Sequence, residues 1–218
     1  MEDKETVIGN FKKIQAVTFL GYADAEKGTP LYDEARETAR LVAERGITVV
    51  NGGGPGVMMA ATEGAHDGGG KAYVATFRPK YMENFEGRDP RNEADKEIVM
   101  NNYLERTMKL LELGNAYLIF NGGTGTVSEF GMAWGLARLY FGHHKPLILF
   151  GGFWYPIMEA FATNIKIRPE ELRVYKIVTT PRQAVEALWW YETQLTEGKM
   201  GIKKQVDGES EEAAFINK

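Results

Sequence analysis

Glu129 closes a run of small residues, Asn121-Gly-Gly-Thr-Gly-Thr-Val-Ser-Glu129, that would bring a carboxylate beside a bound anion. An apolar strand turning sharply into a helix at glycines leaves backbone N–H groups bare at the positive end of the helix dipole. A phosphate fits there. A second such run, Asn51-Gly-Gly-Gly-Pro-Gly-Val-Met-Met59, follows an earlier strand and puts Gly53 and Gly54 among the candidate anion contacts. Helical side chains lean back toward the helix N-terminus, so Glu129 would lie near any anion held at Gly122, Gly123, Thr124, Gly125 and Thr126. Two negative groups in a partly dry site repel unless a cation stands with them. Arg106, on the preceding helix, can supply it with a planar fork suited to carboxylate or phosphate. Plainer readings stay open, the first being that Gly52 to Gly56 only form a tight, closely packed turn from strand to helix. Thr126-Val-Ser-Glu129 has the pattern of a capping box, and Arg106 could pair with Glu105 on the surface.

The glycine runs also exclude chemistry. Neither carries the Gly-Lys-Ser/Thr of a P-loop, which argues against that kind of ATP hydrolysis. The third glycine of a dinucleotide fingerprint is missing from both, its place taken by Val57 and by Ser128. A mononucleotide or a sugar phosphate suits these loops better.

The elements that must position these residues alternate strand and helix. Strands are expected at residues 14–20, 47–50, 72–77, 98–100, 116–120, 146–150 and 177–179. Helices are expected from Pro30 to Gly46 behind Thr29, over 56–66, 104–113 and 126–140, through Met158 and Phe161, and from Pro181 to about 195 behind Thr180. On the third helix Leu104, Met108 and Leu111 share one apolar face. The strands are continuous apolar runs, the mark of a parallel sheet covered on both faces. The expected fold is therefore α/β: a single-domain, doubly wound, Rossmann-like parallel sheet, with ligands at the carboxyl ends of its strands. Residues 1–13 read as a polar extension, 14–197 as the domain and 198–218 as a polar tail. Residues 78–97 form a long charged loop in which Glu83 or Glu86 is a candidate ligand contact.

The 218 residues include no cysteine and carry a net charge of −4, which removes thiolate and disulfide chemistry and any global basic field for a nucleic acid polymer or a membrane. A cytoplasmic protein is the expectation. His143-His144 reads as a solvated loop, and no metal and no cofactor are suggested.

These motifs resemble those of the Lonely Guy family, often labelled as possible lysine decarboxylases. The family's Pro-Gly-Gly-x-Gly-Thr-x-x-Glu appears as Asn121 to Glu129, with Asn121 in place of proline. Its Gly-Gly-Gly-x-x-Gly-Leu-Met appears as Gly52 to Met58, shortened by one. Its Met-x-x-Arg-Lys appears as Tyr103-Leu-Glu-Arg106-Thr107. The likeness runs over roughly residues 14–190. It implies a hydrolase that cleaves the N-glycosidic bond of a nucleoside 5′-monophosphate, AMP or N6-modified AMP, to free base and ribose 5-phosphate. It implies Arg106 and Glu129 as catalytic, Gly122–Thr126 as the phosphate loop, and a homodimer to which the aromatic segments 134–141 and 153–155 could contribute surface. Thr107 and Asn121 leave substrate preference open. No lysine stands in a recognisable pyridoxal-phosphate context. The rival reading is a non-catalytic nucleotide or molybdenum-cofactor carrier of the same superfamily.

Overall fold

The computed structural model describes residues 8–79 and 88–200. Seven strands among them form one sheet: β1 (Ala16–Leu20), β2 (Thr48–Asn51), β3 (Ala72–Phe77), β4 (Lys96–Met100), β5 (Ala116–Ile119), β6 (Leu147–Phe150) and β7 (Tyr175–Val178). Their order is β4-β3-β2-β1-β5-β6-β7, and every neighbouring pair is parallel. The chain therefore steps outward from β1 to β4, then crosses back to lay β5 on the other side of β1. That reversal opens a crevice where the carboxyl ends of β1 and β5 diverge, and ligands of open α/β sheets bind in such crevices.

Six helices cover the sheet: α1 (Pro30–Ala43), α2 (Val57–Asp67), α3 (Tyr103–Leu113), α4 (Thr124–Leu139), α5 (Trp154–Asn164) and α6 (Pro181–Thr196). One buried cluster joins α1, α2 and α6 to the sheet, and a second joins α3, α4 and α5. The expected three-layer α/β fold is present. α1 and α2 pack very closely, because a Cβ on Gly64 would stand 2.0 Å from the Arg36 carbonyl oxygen. Thr180 caps α6 by accepting from the Gln183 N–H at 3.2 Å. Thr29, in the same sequence pattern, instead donates its hydroxyl to the Glu26 carbonyl.

Several expectations need adjusting. β4 begins two residues before the expected 98, and its Lys96 and Glu97 are exposed, as suits an edge strand. A short 3₁₀ helix at Pro169–Leu172 had no clear signal in the sequence. On α3 the buried residues are Arg106, Thr107, Leu110 and Leu111, while Leu104 and Met108 are exposed. The helix is turned so that Arg106 points inward, which carries Leu104 and Met108 out of the core.

The N-terminal stretch is fastened by a buried carboxylate on α6. Glu192 accepts from the backbone N–H groups of Lys12, Lys13 and Ile14 at 2.7–3.0 Å. Within the expected polar extension, Ile8 and Phe11 pack on the core, with Phe11 edge-on to Trp189. Residues 1–7 and 201–218 lie outside the described residues. No described helix is long and apolar enough to cross a membrane.

Candidate active site

A cavity of about 220 Å³ opens at the carboxyl edge of the sheet, in the crevice between β1 and β5. Its lining combines Leu20 at the end of β1 with Gly21 and Tyr22 after it, Tyr103 and Arg106 of α3, and Gly123 to Thr126 with Glu129 of α4. α4 begins earlier than expected, with Gly123 as its N-cap and no side chain capping it. Its first helical bond runs from the Val127 N–H to the Gly123 carbonyl, so the N–H groups of Thr124, Gly125 and Thr126 precede the ladder. Nothing lies within 4 Å of where a Cβ on Gly123 would stand. Packing does not require glycine there, and its bareness leaves the backbone open to a close-approaching ligand.

Thr126 is inside the helix rather than at its cap, which overturns the capping-box reading. Glu129 turns to Arg106: Arg106 Nη1 donates to Glu129 Oε1, and the two residues are only 6% and 5% exposed. The surface reading of Arg106 fails too, because Glu105 accepts from the side-chain amides of Asn101 and Asn102. Arg106 is oriented further by donation from Nε to the Ala75 carbonyl at 3.2 Å. Burial pushes the Glu129 carboxyl above its ordinary range, and the adjacent guanidinium opposes that rise without cancelling it.

The first glycine run has a different place from the one expected. Gly53 and Gly54 do not line the cavity. The Gly53 N–H donates to Asn51 Oδ1 at 2.8 Å, and the Gly54 carbonyl accepts from Asn92 Nδ2 at 2.8 Å. The residue that bears on the site is Gly52, where a Cβ would stand 1.7 Å from Arg106 Nη2. This run makes room for the guanidinium. Gly122 also lies off the lining, pressed against Thr126, whose Oγ1 would be 2.2 Å from its Cβ.

Tyr103 stands in the arginine motif, which assigns it no role. Its hydroxyl hydrogen-bonds Ser128 Oγ at 2.6 Å, joining α3 to α4, and its ring meets Phe77 edge-on. Only that aromatic type signalled it. Thr107 is fully buried and Asn121 is exposed, with the Asn121 carbonyl accepting from the Tyr22 N–H. Neither Thr107 nor Asn121 lines the cavity. Glu83 and Glu86 lie outside the described residues. His143 is exposed as expected but His144 is buried, which corrects the reading of the pair as a solvated loop. Among the described residues no three His, Cys, Asp or Glu side chains gather as a metal site would need.

The family described as "Possible lysine decarboxylase" matches residues 58–188, a stretch that contains both Arg106 and Glu129. The chain belongs to that family. It is the Lonely Guy family whose glycine motifs the sequence resembles. A relative in Mycobacterium tuberculosis, named cytokinin riboside 5′-monophosphate phosphoribohydrolase, is 32% identical over 120 residues, 55% of this chain and 62% of its own length. A probable cytokinin riboside 5′-monophosphate phosphoribohydrolase of Oryza sativa subsp. japonica is 26% identical over 171 residues, 74% of this chain and 67% of its own. Among solved structures, the molybdenum cofactor binding protein of Rippkaea orientalis superposes with a TM-score of 0.60 at 21% identity. That match covers 82% of this chain and 97% of the other. At such identity the likeness is one of fold. Lonely Guy membership and the geometry meet at one place, the α3–α4 wall that carries the buried ion pair.

Proposed function

We propose that this protein hydrolyses the N-glycosidic bond of a nucleoside 5′-monophosphate, AMP or an N6-modified AMP, releasing free base and ribose 5-phosphate. One observation carries the reading. A buried carboxylate, held by a buried guanidinium, lines the same cavity as an uncapped helix N-terminus. The N–H groups of Gly123 to Thr126 take the 5′-phosphate and fix the ribose over Glu129, which supplies positioning energy. The bond from C1′ to the base nitrogen breaks as a water oxygen bonds to C1′. Positive charge builds on the ribose at that moment, and an ionised Glu129 stabilises it and takes the water's proton. The base leaves with its electron pair and takes a proton from solvent, to which Glu129 returns the one it drew from water. Arg106 keeps Glu129 in place, and its charge offsets the crowding of carboxylate and phosphate. The names of the relatives support this substrate class, and a protein that only held an anion would gain nothing from a carboxylate beside it.

Incubation with AMP and with isopentenyl-AMP, followed by chromatography of the free base, tests the proposal. Base should appear with the unaltered protein and disappear with Glu129→Ala at unchanged circular dichroism. Full turnover in that variant ends the assignment. Ligand retention through purification without turnover of any monophosphate would indicate a carrier.

The homodimer is proposed with it. Trp134 and Trp154 are engaged internally, Trp134 stacking on Phe130 at 5.3 Å. Outward apolar side chains include Leu104 on α3, Val127 and Leu139 on α4, and Tyr140 and Tyr155 from the aromatic segments, and a second copy would cover a face that begins with Leu104 and Val127 beside the cavity.

A further inference from the structure

A larger cavity, about 300 Å³, lies at the opposite, amino edge of the sheet. It is bounded by the last turns of α3 and α4, the start of β5 and the loop before β6. Its walls are apolar and aromatic, among them Leu111, Tyr117, Leu136 and Tyr140. His144 belongs to this lining and is only 3% exposed, yet neither of its ring nitrogens has a hydrogen-bond partner in the protein. A buried polar side chain left this way costs free energy, and one in a cavity wall is explained if the cavity receives a polar partner. The active site makes no use of it.

The charges around the cavity say what kind of partner fits. α3 and α4 both end here, and helix C-termini carry partial negative charge, which disfavours an anion. Lys145 offsets part of that charge, but its Nζ is spent on the carbonyls of Leu111, Glu112 and Gly114 at 2.7–3.1 Å and leaves no donor free for an anion. Glu112 is paired with Lys109 at 2.7 Å, so it offers a cation little. Burial holds His144 neutral, so that one ring nitrogen donates and the other accepts. We propose that this cavity is a second ligand site, for a small uncharged aromatic molecule whose polar edge hydrogen-bonds to His144. Apolar cavities of this order do take up small aromatic guests.

Indole is a suitable probe, with indole-3-carboxylate as its charged counterpart. The full chain, labelled with ¹⁵N, is titrated while the His144 ring nitrogens are followed by NMR. Indole should shift those signals saturably, and indole-3-carboxylate should leave them in place. His144→Phe should weaken indole binding at this site about tenfold, the equivalent of one hydrogen bond to a buried group. Met108→Trp, at the exposed rim, should block entry without disturbing buried contacts. Unmoved His144 signals at saturating indole overturn the proposal. So does unchanged affinity in both variants, or a shift that vanishes with protein concentration because a second copy covers the mouth.

Discussion

Gly52 and Arg106 compete for one volume: a Cβ on Gly52 would stand 1.7 Å from Arg106 Nη2 and 2.7 Å from Met58 Sδ. A glycine in β2's exit loop therefore decides whether α3's arginine can lie beside Glu129. Gly52→Ala should displace the guanidinium while the sheet and helices form as before. We expect base release to fall by about 100-fold or more, the scale of losing one charge-stabilising group in a dry site. Product chromatography beside a thermal melt checks this. Near-normal turnover would show that Arg106 is not needed where it lies.

The pH profile of turnover should report Glu129 directly. Its carboxyl is raised above the ordinary value of 4.5 by burial, with Arg106 opposing. The ionised form takes the water's proton, so rate should fall as pH drops through that raised value. The acid limb of kcat/KM should then be centred above 4.5. Glu129→Gln should remove the limb and about a thousandfold of the rate. A limb that persists in the variant belongs to another group.

Stability at low pH should report His144. Burial pushes its imidazole from 6.5 down to about 4, with His143 contributing. Between those two values the unfolded chain takes up a proton that the folded chain refuses. Stability therefore drops as pH falls through this window, and above it the residue contributes no pH dependence. The full effect is about 3 kcal/mol below the lower value. Urea titrations across the window, with His144→Phe showing a flatter acid limb, measure it.

The clamp on the N-terminal stretch is a separate matter of stability. Glu192→Ala strands the N–H groups of Lys12, Lys13 and Ile14, which lose their acceptor just ahead of β1. A loss of about 2–4 kcal/mol is expected from the unpaired groups, with Glu192→Gln losing less because one acceptor oxygen remains. The urea midpoint should move at constant m-value.

The alternation of apolar runs with capped helices made the sheet legible, and the second glycine run with Glu129 made the α4 wall legible. Both are local patterns. What stayed hidden depends on contacts distant in sequence. Gly52 serves Arg106 across 54 positions of chain, and nothing in the first glycine run says that its tightness makes room for a guanidinium. The burial of His144 is set by α3 and α4 closing over the loop before β6, where two adjacent histidines read simply as polar. Leu104 and Met108 looked like core because their spacing is right for a buried face. The inward aim of Arg106 overrides that spacing.

Along α4, Val127, Gly131, Gly135 and Leu139 recur every fourth residue, so they form one stripe on the helix. All four are exposed, and a Cβ on either glycine would meet nothing within 4 Å. Two glycines inside a helix cost about 1 kcal/mol each against alanine, which solvent exposure alone does not repay. Under the proposed homodimer they let the partner's backbone approach closely. Replacing both with alanine then has opposite consequences in the two cases. On a face that stays in water, the double variant should be more stable by about 2 kcal/mol and unchanged in assembly. On a dimer face, it should weaken association about tenfold or more, as added methyl groups force the packed surfaces apart. Analytical ultracentrifugation beside a urea melt separates the outcomes, and we expect weakened association. A stabilised variant of unchanged mass would leave this stripe of α4 in solvent and remove it from any dimer face.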